Sequence, residues 1–302
     1  MLSKKPILPL LAIILAAVIW GISAPVIKAA EDQVPTFTLA FLRFVIAVLL
    51  IASISLRNHW SLPIRISDLK LFILTGLTGI VGNIAFLFLG LKYTTALDYL
   101  TFSCLAPIFI AIAGYFFLRE PLTRLNLTGQ AMALVGAMII IGTPNGPASN
   151  RPLGDFLLVL STICWAASFI FAKELFHRYG SFIVTAFIFL TGLLAFAPLA
   201  LIEYFQTPSW TAQVDLLHWS AVLFLGIFTS VIAYLAFEWG LRRSLASVAA
   251  LVEHFQLLAG TVAAIFLVNE FVTQWFVVGA ALVLVGILLA TRPAHHFHRR
   301  HI

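Results

Sequence analysis

The sequence predicts an all-α integral membrane protein whose ten transmembrane helices form two inverted five-helix repeats. Three observations carry this reading. The chain is 62% hydrophobic and only 10% charged, with mean hydropathy +1.05, whereas a soluble domain is about a quarter charged. Its apolar residues fall into ten runs of about spanning length, separated by short polar breaks. One stretch is also written twice: Ala96–Thr123, closing with Arg119-Glu120-Pro121-Leu122-Thr123, returns 150 residues later as Ala246–Thr273, closing with Asn269-Glu270-Phe271-Val272-Thr273.

In chain order the runs lie near 7–30, 36–56, 69–91, 96–118, 125–142, 153–174, 181–202, 217–240, 245–268 and 274–291. All read as helices, because an open sheet edge leaves backbone groups unsatisfied in lipid. Lys4 and Lys5 ahead of the first run resemble a signal peptide. The run Ile7–Ala30 is longer than a signal core and long enough to span, so it is expected to be retained. Residues 1–142 form the first repeat, the Gly- and Pro-rich stretch 143–152 is a linker, and 153–302 form the second repeat with a short basic tail. Cys104 and Cys164 both lie inside apolar runs, so no disulfide framework is indicated.

The offset of 150 also pairs Gly76 with Gly226, Gly90 with Gly240, Gly129 with Gly279 and Gly136 with Gly286. With the N-terminus inside, fourteen of the eighteen basic residues fall in cytoplasmic breaks and the tail; Lys28, Lys92 and Arg151 fall outside, and Arg43 lies within the second run. The net charge of +6 is therefore a topology signal that places both termini in the cytoplasm, and nucleic acid is no partner. Five spans per repeat is an odd number, so the second copy enters from the opposite side. That arrangement is typical of transporters with a site between the halves near the midplane.

The first helices of the two halves echo each other at an offset of 145: Trp20, Ser23 and Lys28 match Trp165, Ser168 and Lys173. Trp20-Gly21 with Lys28 eight residues on, Leu42-Arg43-Phe44, and a helix with Pro107 ending at Arg119-Glu120 resemble the EamA family of the drug/metabolite transporter superfamily. The resemblance covers essentially the whole chain. It implies ten helices, no cofactor, and a bacterial inner-membrane permease that exports or exchanges a small metabolite, often an amino acid. Three departures stand out: Leu257 aligns with Pro107, Gln256 sits where the family often has Glu, and Arg43 aligns with Ile188.

Glu253 and His254 are the leading candidates for a proton or substrate relay. They lie about eight residues, or about 12 Å, into their run. A carboxylate at that depth costs about 2.5–3.5 kcal/mol on insertion scales and calls for a cavity or a partner; a helix–helix ion pair is the plain alternative. Trp20, Ser23, Asn83, Tyr99, Ser103, Trp165, Ser168 and Tyr234 are candidate substrate-pathway residues on helices 1, 3, 4, 6 and 8. Each could instead serve only to pack helices together. Pro25, just past Ser23, removes a backbone hydrogen bond near that site. Ser230, Tyr234 and Glu238 form a stripe on the eighth helix. Arg43 and Glu238 are candidate charge partners, Glu238 more plainly a solvated partner of Arg242. Glu120 and Glu270 read as turn chemistry ahead of the next helix, with Thr123 and Thr273. The His295–His301 tract has no fixed metal-ligand spacing, and no metal is expected.

Two other functions were weighed. Gly21-Ile22-Ser23-Ala24 is a near miss to an intramembrane serine-protease signature, but Ser23 recurs as Ser168 in the same frame, and no phosphate loop or His-Glu-x-x-His is present. A channel-like facilitator would need only one conformation. The expected protein is a metabolite transporter in the lipid bilayer, working by alternating access, with proton coupling and a homodimer as further candidates.

Overall fold

The computed structural model describes residues 7–57, 64–118, 124–141, 148–241 and 251–290. Every regular element among them is helical. In order these are α1 (Ile7–Ala30), α2 (Thr36–Arg57), α3 (Leu69–Gly76), α4 (Asn83–Tyr93), α5 (Ala96–Ser103), α6 (Ala106–Leu118), α7 (Arg124–Ile141) and α8 (Arg151–Gln206). They continue with the single turn α9 (Trp210–Gln213), then α10 (Leu216–Phe224), α11 (Ala233–Leu241), α12 (Leu251–Val268) and α13 (Gln274–Ala290). Five stretches are long and apolar enough to cross a membrane: Ile7–Ala30, Thr36–Arg57, Ile66–Tyr93, Phe182–Gln206 and Leu216–Phe237. Shorter apolar helices, among them Arg124–Ile140, Phe255–Val268 and Gln274–Leu289, accompany them.

Three kinds of interruption break the expected runs. The run expected at 96–118 breaks between α5 and α6, where Cys104 and Leu105 form a turn. α8 changes direction at Gly180, whose φ of 74° and ψ of 161° are open to glycine at little cost. The third interruption occurs twice. Between α3 and α4, Leu77–Gly82 widens to a π-helix, and between α10 and α11, Leu225–Ile232 does the same. The two π segments overlap at the offset of 150, and such bulges cluster at functional sites.

The core runs through the middle of the bundle, with Phe44, Phe72, Phe88, Phe189 and Phe196 fully buried. Several of its close helix contacts come in pairs that the two sequence offsets interchange. A Cβ on Gly136 would lie 2.5 Å from the Gly279 carbonyl oxygen, and one on Gly286 would lie 2.6 Å from that of Gly129. Gly76 abuts Thr191, while Gly226 abuts Ile46. Gly90 meets Leu158 and Gly154, while Gly240 meets Ile13 and Pro9. The rings of Phe44 and Phe189, which the offset of 145 exchanges with each other, pack at 5.8 Å.

Candidate functional site

α1, α2, α8 and the Leu225–Leu241 stretch bring an aromatic cluster to the middle of the bundle. Tyr234 stands edge-on to Trp20 at 5.3 Å, to Phe189 at 5.2 Å and to Trp165 at 6.4 Å. Phe237 closes on Trp20 at 5.2 Å. The Trp20 indole donates to the Thr229 carbonyl at 3.1 Å. Thr229 lies in the second π segment, where the widened turn redirects backbone carbonyls.

Arg43 reaches the same segment. Its side chain is only 3% exposed, and its Nε donates to Ser230 Oγ at 2.7 Å. Ser230 in turn donates to the Leu225 carbonyl at 2.9 Å. The Arg43 guanidinium carbon lies 5.5 Å from the centre of the Phe44 ring. The phenol groups of Tyr99 and Tyr234 are close enough to interact with it electrostatically. Among the described residues no carboxylate stands within ion-pair distance of Arg43.

The remaining sequence candidates separate by what their polar atoms do. Ser23 and Ser168 each donate back to the carbonyl three residues earlier, to Trp20 at 2.6 Å and to Trp165 at 2.7 Å. Ser103 does the same toward Leu100 at 2.9 Å and accepts from Gln256 Nε2 at 3.2 Å, joining α5 to α12. Asn83, directly after the first π segment, donates to the carbonyl and hydroxyl of Ser161 at 3.1 and 3.0 Å. Ser161 returns a bond to the Asn83 carbonyl at 2.9 Å. Tyr99 packs half-buried against the core. Glu253 and His254 fall within α12 and Glu238 within α11, but their side chains lie outside the described residues. So do Glu120, the side chain of Pro107, linker residues 143–147 and the histidine tract of the tail.

A second polar cluster forms at one end of the bundle, from charges that stand isolated at the edges of apolar runs in the sequence. Asp98, fully buried, accepts from Arg151 Nη2 at 2.6 Å and from Thr94 Oγ1 at 2.6 Å. Thr94 is also 2.9 Å from Asp155. Thr95 and Asp98 form a reciprocal capping box at the start of α5. Lys28, at the end of α1, donates to the carbonyls of Leu91 and Thr94.

Glu270 completes this cluster and corrects the expectation of a local turn role. Thr273 does cap its own helix, accepting from the Phe276 amide at 3.0 Å. Glu270 instead accepts from the amides of Ala96 and Leu97 at 2.7 and 2.9 Å, capping a helix 174 residues away in sequence. It is 2% exposed. Burial pushes its carboxyl above the usual range, and those two amides pull it back. Glu203 repeats the device, accepting from the amides of Phe37 and Thr38 at 3.0 and 2.6 Å. Long-range caps of this kind leave no short sequence spacing by which to find them.

The profile of the EamA-like transporter family matches residues 7–142 and 152–292. The chain belongs to that family. It is 27% identical over 94% of its length, and 98% of the relative's, to a protein of Archaeoglobus fulgidus named an uncharacterized transporter. A Salmonella typhimurium protein named a probable amino-acid metabolite efflux pump is 24% identical over 91% of this chain and 92% of its own. A Streptantibioticus cattleyicolor protein named a probable terminal-alkyne amino-acid exporter is 24% identical over 93% and 92%. A solved crystal structure matches the fold with a TM-score of 0.66, covering 93% of this chain and 96% of its own at 21% identity. The EamA chain described here is thus a multi-pass membrane transporter of a small molecule, and not an enzyme.

Proposed function

We propose that the protein is a secondary transporter that exports or exchanges a small metabolite of the amino-acid class by alternating access. Its halves, 1–142 and 153–302, are read as inverted five-helix repeats joined by a linker, with the substrate held between them near Arg43, Trp20 and Tyr234. The observation that carries the reading is the set of helix contacts that the two offsets interchange. A packing that maps onto its own counterpart offers one chain two related arrangements, each open to a different side. The names of the Salmonella and Streptantibioticus relatives support the substrate class and the direction.

The excess of basic residues in alternate breaks favours cytoplasmic termini in a bacterial inner membrane. The Lys28–Asp98–Arg151–Glu270 cluster then lies at the outer face and seals it in this conformation. Opening outward requires Glu270 to leave the α5 amides and Arg151 to leave Asp98. Counterflow from proteoliposomes tests the proposal: unlabelled amino acid on the trans side should accelerate release of the labelled one. Flux that is indifferent to the trans side would identify a channel. Glu253 and His254 serve as the proton relay in this reading because of their depth and their titration range. Glu253→Gln should flatten the pH dependence of exchange, and an unaltered pH profile removes that role.

A further inference from the structure

We infer that Arg43 is the residue that recognises substrate, and that it selects a carboxylate carried on an apolar body. The inference rests on the transporter reading and names what its central site binds. Arg43 is buried, and its one bond among the described residues runs through Nε to Ser230. A guanidinium has five N–H donors, and a bond at Nε leaves the two terminal nitrogens to meet a second partner as a planar fork. A carboxylate fits that fork with two parallel hydrogen bonds. Among the described residues no carboxylate balances this charge, and a buried charge is costly in lipid, which favours a partner that arrives with the substrate. The Phe44 ring lies 5.5 Å from the guanidinium carbon, and Ser230 Oγ anchors Nε at 2.7 Å. Trp20, Trp165 and Tyr234 supply the aromatic wall against which an apolar substituent rests.

The duplication argues that this pair is not scaffold. Arg43 corresponds to Ile188 and Ser230 to Ile80, and both isoleucines are buried in the main core. The second copy packs well without the arginine, so the helix contact itself does not require it. The first copy carries a charge where its twin shows a hydrocarbon to be sufficient.

The test uses the full-length protein, in detergent for thermal-shift measurements and in liposomes for counterflow. The probes are the twenty proteinogenic amino acids, short aliphatic and aromatic monocarboxylates, and the matching amides. Acids should stabilise and exchange, with their amides at least tenfold weaker. Arg43→Gln should weaken the acids at least tenfold, leave the amides unchanged and keep the melting temperature, with Arg43→Lys intermediate. Acids and amides that bind equally well, or a panel in which no acid binds, would overturn the inference. Robust counterflow of uncharged probes in that case would leave the transporter reading intact, whereas absence of counterflow by every probe would remove that reading as well. An Arg43→Gln variant that melts early and is restored by adding Glu238→Gln or Glu253→Gln would show a structural ion pair instead, and this too would overturn it.

Discussion

The two copies agree where helices touch and disagree where polar atoms are buried. Gly136 on Gly279 and Gly286 on Gly129 are one contact made twice. By contrast, the Arg43–Ser230 pair faces Ile188 and Ile80 in the other copy, and Asn83–Ser161 faces Ala233 and Ala16. Asp98, at the heart of the polar cluster with Arg151 and Thr94, corresponds to Val248. Small residues repeat because close approach of backbones is a geometric demand that helix packing makes on both halves. Polar pairs do not repeat because each one costs desolvation, and a single copy suffices where one ligand, or one gate, has to be served.

The sharpest way to break this comparison is to remove the buried partner from the copy that has it. Asp98→Asn takes the nearer carboxylate from Arg151 and one of two carboxylate acceptors from Thr94, leaving both to Asp155, which is 3.8 Å from Arg151 Nε and 2.9 Å from Thr94 Oγ1. Loss of one member of a buried pair costs about 3–5 kcal/mol, and the remaining Asp155 offsets part of it. The variant should melt well below the parent and expose the Lys28 end of the bundle to a membrane-impermeant thiol reagent acting on a cysteine introduced near Leu97. Unchanged stability would mean that the cluster carries no seal.

Placing the charge in the wrong copy is the converse experiment. Ile188→Arg buries a guanidinium where Ile80 offers no acceptor, at a cost of about 3 kcal/mol on insertion scales. Ile80→Ser supplies an acceptor like the one Ser230 offers Arg43, although it also empties a buried core site. A double-mutant cycle of the two changes should therefore show a favourable coupling of about 1 kcal/mol, and no coupling would mean that the two positions are not the equivalent pair that the offsets imply.

The shared contacts predict equality in place of difference. A methyl on Gly136 or on Gly286 meets a carbonyl oxygen of the facing helix at 2.5 or 2.6 Å. Each alanine substitution should therefore cost about 2 kcal/mol by overpacking. Chemical denaturation of both variants checks this, and costs that differ severalfold would show that the two halves do not carry load alike.

These contrasts mark how far the sequence could be read. The apolar runs, the two offsets and the family motifs are local or periodic signals, so the helical class was visible before any coordinates. The run 153–202 was read as two helices, and the structure continues the first almost to Gly180, because nothing before that glycine opposes helix. The π segments were invisible, since no residue type demands a five-residue bond. Trp20, Arg43 and Tyr234 were singled out by depth and chemistry, and the structure brings them to one place. Arg151–Asp98 and Glu270–Ala96 were missed because their partners lie 53 and 174 residues apart and each charge, taken alone, looks like a loop residue.

Glu31 is the least conspicuous difference between the copies. It follows α1 in the turn before α2, and its counterpart at the offset of 145 is Phe176, half-buried against the core. Both of its carboxylate oxygens are sealed from solvent. Burial pushes its pKa up to about 8, although the Thr36 side chain, Lys28 and Lys92 act to lower it. The native state thus holds a proton that the unfolded chain, with a carboxyl near the ordinary value of 4.5, releases. Stability from this site is complete below about pH 4.5 and is lost as pH rises toward about 8. Glu31→Gln keeps the uncharged form at every pH and should be several kcal/mol more stable than the parent at pH 9, at about 1.4 kcal/mol for each pH unit between the two pKa values, with little difference at pH 5. Melting curves across that range decide it: a parent that gains stability with rising pH would show that Glu31 is charged and paired in the folded protein.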